Sequence, residues 1–201
     1  MTRLLYFFLY IHYTNSYTLN LVTHITMQLS GKRIAILAEK LYEDLEIWYP
    51  YYRLKEEGAE IQVIGSGSAP TYHGKYGYPV TVDAAVTQVK AQDFDAVVIP
   101  GGYSPDFMRR HESMIQFVRD VYTHGGVVAA ICHGPWMLAS ADLLRGKTAT
   151  SFMAIRTDIQ NAGANFVDME VAVDGRIITS RTPDDLPAFC KAIIAAIQKL
   201  Q

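Results

Sequence analysis

The chain has 201 residues, half of them apolar, with 18 basic and 20 acidic side chains and a formal charge of −2. That is enough apolar material for one full core and leaves no basic surplus, which argues against nucleic acid or an anionic membrane surface as the main partner. Two Cys, Cys132 and Cys190, suggest no disulfide framework, so a reducing cytoplasm is the expected compartment.

Residues 1–26 contain no acidic residue and no clean period. Arg3 followed by the apolar run Leu4 to Ile11 resembles part of a signal peptide, but no Ala or Gly occurs before Gly31 to form a cleavage site. The run is too short to span a bilayer. We expect a poorly structured extension over 1–26, a working protein that begins near Met27, and a single α/β domain over 27–201. Arg33 to Ala38 reads as a first buried strand, with a loop over 41–45 at its carboxyl end. Leu45, Trp48, Tyr49 and Tyr52 recur at helical spacing until Gly58 closes the helix, with Pro50 in an early turn or at a kink.

Glu60 to Ile64 is a second strand, and the Gly-rich stretch 65–78 a surface excursion. Tyr78 to Val82 alternates as a short strand would, and Ala84 to Ala91 is weakly helical. Asp95 to Pro100 is a third buried strand, turned by Gly101-Gly102. A helix with Met114, Phe117, Val118 and Val121 on one face precedes a fourth strand, Val127 to Ile131. Helix is expected over 156–161, a hairpin of 166–173 with 176–179 around Asp174-Gly175, and a closing helix over 183–200. Strands alternating with helices imply a doubly wound α/β sandwich with a mostly parallel sheet. Ligands of such sheets bind outside the carboxyl ends of the strands.

Cys132 stands between the fourth strand and Gly134-Pro135, where Pro favours a helix start. A thiol at that hinge has the geometry of a nucleophile elbow and faces free N–H groups that favour thiolate. A small buried hydrophobe is the bland alternative. Glu43, Asp44 and Glu46 crowd the turn after the first strand; for Glu43 and Asp44 a favourable match to the helix N-terminus suffices. Glu46, between Leu45 and Ile47, can be carried inward, where burial and a nearby thiolate would raise its pKa and fit it to shuttle a proton. Gly101 and Gly102, with the N–H of His133, are candidates for an oxyanion hole. Asp106, after Ser104-Pro105, reads as an ordinary helix-start acid. His133 can meet its neighbour's sulfur only if the helix starts sharply, and no His follows it, which excludes the Cys, distant His, acid order of glutamine amidotransferases. The other His residues show no metal spacing, no phosphate loop or dinucleotide fingerprint occurs, and no cofactor is expected.

These residues resemble the PfpI intracellular-protease family of the ThiJ superfamily. The resemblance rests on Glu43-Asp44-Leu45-Glu46, Gly74-Lys75-Tyr76-Gly77, Val98-Ile99-Pro100-Gly101-Gly102, Ile131-Cys132-His133-Gly134-Pro135 and Asn161-Ala162-Gly163-Ala164. It implies a flavodoxin-like three-layer sandwich, Cys132 as nucleophile, Glu46 as its buried carboxyl partner, and His133 oriented by Asp106 of a neighbouring subunit in a homodimer or a hexamer. Asp106 stands where protease members carry Glu, and Phe152 where they carry Tyr. The resemblance implies either glyoxalase- or deglycase-type work on a small dicarbonyl or glycated substrate, which needs only the thiolate, a proton shuttle and an oxyanion hole, or hydrolysis of a peptide substrate. A redox sensor acting through oxidised Cys132 is the third reading. The loops 65–78 and 151–156 are the segments expected to wall the pocket.

Overall fold

A computed structural model describes residues 27–200. The expectation for residues 1–26 lies outside the described residues. The chain begins with β1 (Arg33–Ala38), whose Ile34 to Ala38 are fully buried, followed by α1 (Asp44–Glu56) and β2 (Glu60–Gly65). The excursion then forms a hairpin of β3 (Thr71–His73) and β4 (Pro79–Thr81). Next come β5 (Ala84–Ala85), β6 (Ala96–Ile99), the short α2 (Ser104–Met108), α3 (Glu112–Thr123), β7 (Val127–Ile131) and α4 (Pro135–Ser140). The chain closes with β8 (Thr148–Ala149), α5 (Arg156–Asn161), β9 (Asn165–Phe166), β10 (Val171–Asp174), β11 (Ile177–Ser180) and α6 (Leu186–Ile197).

The central sheet has the order β10-β11-β7-β6-β1-β2-β5, parallel except for the β10–β11 pair. Alternate side chains of β1 feed two cores. Ile34 and Ile36 pack with Ile47 and Leu54 of α1 and Phe189 and Ile193 of α6; Ala35 and Leu37 pack on the opposite face with Val118 and Val121 of α3 and Leu138 of α4. This is a three-layer α/β sandwich of flavodoxin-like kind, as the resemblance implies. Each fully buried Ile or Leu contributes roughly 1.5–3 kcal/mol. The chain runs outward from β1 to β2 and β5, then returns to add β6, β7 and β11 on the other side. The switch falls between β1 and β6, and their carboxyl ends open a crevice there.

Three expectations are corrected. Ala84 and Ala85 are not helical: they pair with Ile64 and Gly65 as an edge strand, and short 3-10 turns follow at Val86–Gln88 and Ala91–Asp93. The long strand expected over 166–173 is broken, because Asn165 and Phe166 pair with Thr148 and Ala149 in a separate ribbon before the chain joins β11. The closing helix is shorter than 183–200, since Pro183–Asp185 forms a 3-10 turn ahead of α6. Pro50 sits buried inside α1, which continues past it to Glu56.

Candidate active site

The elbow forms as its sequence requires. Cys132 has φ +62°, a left-handed conformation that a non-glycine residue adopts only when its surroundings impose it. They do so from two sides: the Cys132 N–H donates to Ser180 O at 3.1 Å, and the Phe152 N–H donates to Cys132 O at 2.9 Å. Gly134 lets the helix start sharply, for a Cβ there would stand 2.8 Å from the Ile131 carbonyl oxygen. That sharp start turns the His133 ring back, and its Nδ1 lies 3.3 Å from Cys132 Sγ. The ring rests against Phe152 and Trp136, each with its centroid 5.1 Å away.

Glu46 arrives from the first turn of α1 with its side chain wholly buried. Its Oε2 accepts the Gly101 N–H at 2.6 Å, while Oε1 has no hydrogen-bond partner. A Cβ added to Gly101 would lie 2.6 Å from Cys132 Cβ, 2.8 Å from Glu46 Oε2 and 2.8 Å from the His133 nitrogen, so glycine is what lets the three residues converge. The Gly101 N–H is engaged by Glu46 and does not point at the thiol. The N–H groups of Gly102 and His133 do, leaving these two of the three proposed oxyanion donors facing the sulfur.

Burial pushes the Glu46 carboxyl up to about 8; the Gly101 N–H opposes this and the Glu43 charge reinforces it. Burial pushes the Cys132 thiol up to about 12, Glu46 adds to the rise, and the Gly102 and His133 N–H groups offset only part of it. The thiolate expected from the hinge position alone is therefore corrected, because desolvation outweighs the N–H groups. A base is needed, and burial holds the His133 imidazole below its usual range, neutral and able to accept at neutral pH. Once Glu46 is protonated its repulsion is gone, and its O–H can donate to sulfur.

Glu43 and Asp44 do more than match a helix end. Glu43 makes no side-chain cap; it is buried and paired with Lys75. Asp44 accepts the N–H groups of Tyr76 at 3.1 Å and Tyr78 at 3.2 Å. Together they fasten the β3–β4 loop over the crevice. Asp106, on α2, pairs with Arg110 in the turn just beyond that helix and makes no bond to His133 of the same chain. A cavity of about 770 Å³ opens above Cys132 and His133, walled by Leu41, Lys75, Tyr76, Tyr103, Phe152 and Pro183 among others. The walls contributed by 65–78 and by Phe152 are those expected, and Tyr103 lies in the loop after β6, where the strand-end rule places ligands; Thr182 and Pro183 were missed, although their position after β11 fits the same rule. No group of His, Cys, Asp and Glu that could hold a metal is found among the described residues.

Residues 32–196 match the model of the DJ-1/PfpI family. The chain belongs to that family. It is 42% identical over 166 residues to the deglycase PfpI of Pyrococcus furiosus, covering 83% of this chain and 99% of the relative. It is 44% identical over 171 residues to general stress protein 18 of Bacillus subtilis, covering 84% and 99%. A crystal structure of a two-domain protein from Anabaena variabilis, with DJ-1/ThiJ/PfpI-like and ferritin-like domains, superposes with a TM-score of 0.80 at 47% identity; the match covers 82% of this chain and 47% of that one. Relatives named deglycases at this level of identity make this DJ-1/PfpI chain an enzyme. No helix among the described residues is long and apolar enough to cross a membrane.

Proposed function

We propose that this family member is a cytoplasmic, stress-protective enzyme that detoxifies reactive dicarbonyls or the glycated groups they form, through Cys132 and Glu46. The observation that carries the reading is the convergence of the buried, protonatable Glu46 carboxyl, the Cys132 thiol and the Gly102 and His133 N–H groups around Gly101. His133 Nδ1 accepts the thiol proton, and the thiolate adds to an aldehyde to give a hemithioacetal whose oxygen faces the two N–H groups. Glu46, titrating close to working pH, moves a proton from the former aldehyde carbon to the adjacent carbon, leaving a thioester. Water cleaves the thioester, so a 2-oxoaldehyde plus water becomes a 2-hydroxy acid and the thiol regains its proton. No outside oxidant or cofactor enters this balance.

A second reading, peptide hydrolysis, is favoured by the Nδ1–Sγ contact, with Asp106 of a neighbouring subunit orienting His133. The two separate in one assay. Methylglyoxal loss with lactate formation, without added thiol, should vanish in Cys132→Ser and fall about 10²- to 10⁴-fold in Glu46→Gln. Peptide cleavage by a wild type that forms no lactate would replace the dicarbonyl reading with the peptidase one.

A further inference from the structure

The cavity above Cys132 has one ammonium group among its lining side chains. Lys75 is the one Lys or Arg among its lining residues. Two acids share the lining, but both are occupied: Glu43 is buried in its pair with Lys75, and both Asp44 oxygens accept backbone N–H groups of the β3–β4 loop. The Lys75 ammonium has three donors and a side chain 43% exposed, so Glu43 fixes its position without saturating it. Its backbone is held too, by donation from the Lys75 N–H to Tyr42 O at 2.9 Å, and its head lies 4.9 Å from the Tyr76 ring centroid. The pairing with Glu43 keeps it charged, and its field is felt at both His133 and Glu46.

We infer that Lys75 is a specificity-determining residue that recognises a carboxylate, so that the preferred substrates are 2-oxoaldehydes carrying a carboxylate at their far end. This deepens the dicarbonyl reading and rests on it. A single ammonium with free donors suits a small carboxylate; a phosphate dianion is more often met by an arginine fork or a nest of N–H groups. The volume of about 770 Å³ leaves room for a chain of several carbons between the thiol and the mouth.

The test compares alkylation of Cys132 by iodoacetate and by iodoacetamide, followed by intact mass, in wild type, Lys75→Met and Lys75→Arg. Both reagents attack one sulfur, so a change in thiol ionisation or a loosened fold alters both rates together and leaves their ratio unchanged. The iodoacetate to iodoacetamide rate ratio should fall about three- to fivefold in Lys75→Met, recover in Lys75→Arg, and fall in wild type at about 0.5 M salt. A ratio indifferent to all three changes overturns the inference. In turnover, kcat/KM for 4,5-dioxopentanoate relative to neutral 2-oxohexanal should fall in Lys75→Met by the same factor. An unchanged preference overturns the substrate class while the dicarbonyl reading stands. Turnover of neither aldehyde overturns the dicarbonyl reading, and with it the substrate class, while the alkylation ratio still decides whether Lys75 selects anions.

Discussion

Gly101 sets the dimensions of the site. Its missing side chain allows the Cys132 Cβ, a Glu46 oxygen and the His133 nitrogen to approach one point, each within 2.8 Å of where a Cβ would stand. None of the three neighbours is the loose end of a flexible chain: one is backbone, one is held at φ +62°, and one belongs to a fully buried side chain. Gly101→Ala must therefore separate the thiol from the carboxyl. Overpacking of this kind costs about 1–3 kcal/mol of stability, and a shift of about 1 Å between reacting groups lowers rate on the order of 10²-fold. Denaturant titration and lactate formation on the same sample check both effects. A variant that keeps wild-type turnover would show that Glu46 and Cys132 need not be this close.

At the scale of elements, α1 and the β3–β4 hairpin act as one unit because Asp44 reaches across to the loop. Replacing Asp44 with Ala leaves the Tyr76 and Tyr78 N–H groups without their carboxylate acceptor. The expected loss of global stability is about 1–2 kcal/mol. Hydrogen exchange at those two amides should quicken about tenfold or more, and KM should rise with the loosened wall. Little of this clasp was legible in the sequence. The acids at 43 and 44 look like ordinary helix-start residues, and their partners lie some thirty residues on, beyond any local period. The elbow was legible for the opposite reason. Its buried run, Cys132 and Gly134-Pro135 are contiguous, so strand, hinge and helix start are all encoded within ten residues. Edge strand β5 escaped notice because its two alanines take their strand character wholly from β2. Glu46 could be read as turning inward from its apolar neighbours, but its bond to the Gly101 N–H depends on how β6 sits beside β1.

For the whole molecule, one buried carboxyl links the site to folding. Glu46 binds its proton more tightly when folded, with a pKa raised from 4.5 to about 8. Between these values the folded chain keeps a proton that the unfolded chain has released, so stability falls as pH rises through that window and levels off above it. The sign is opposite to that of a salt-bridged carboxylate, whose stabilisation is lost toward acid. A shift of this size amounts to a few kcal/mol. Unfolding by urea at pH 5, 6.5 and 8.5 should show the wild type losing stability across the series. Glu46→Gln keeps the shape without the titration, so it should flatten that loss and exceed the wild type by about 2 kcal/mol at pH 8.5. Parallel profiles for the two proteins would mean that Glu46 is already ionised in the fold, so that it meets the substrate as a standing carboxylate base and has no proton of its own to donate to the Cys132 sulfur.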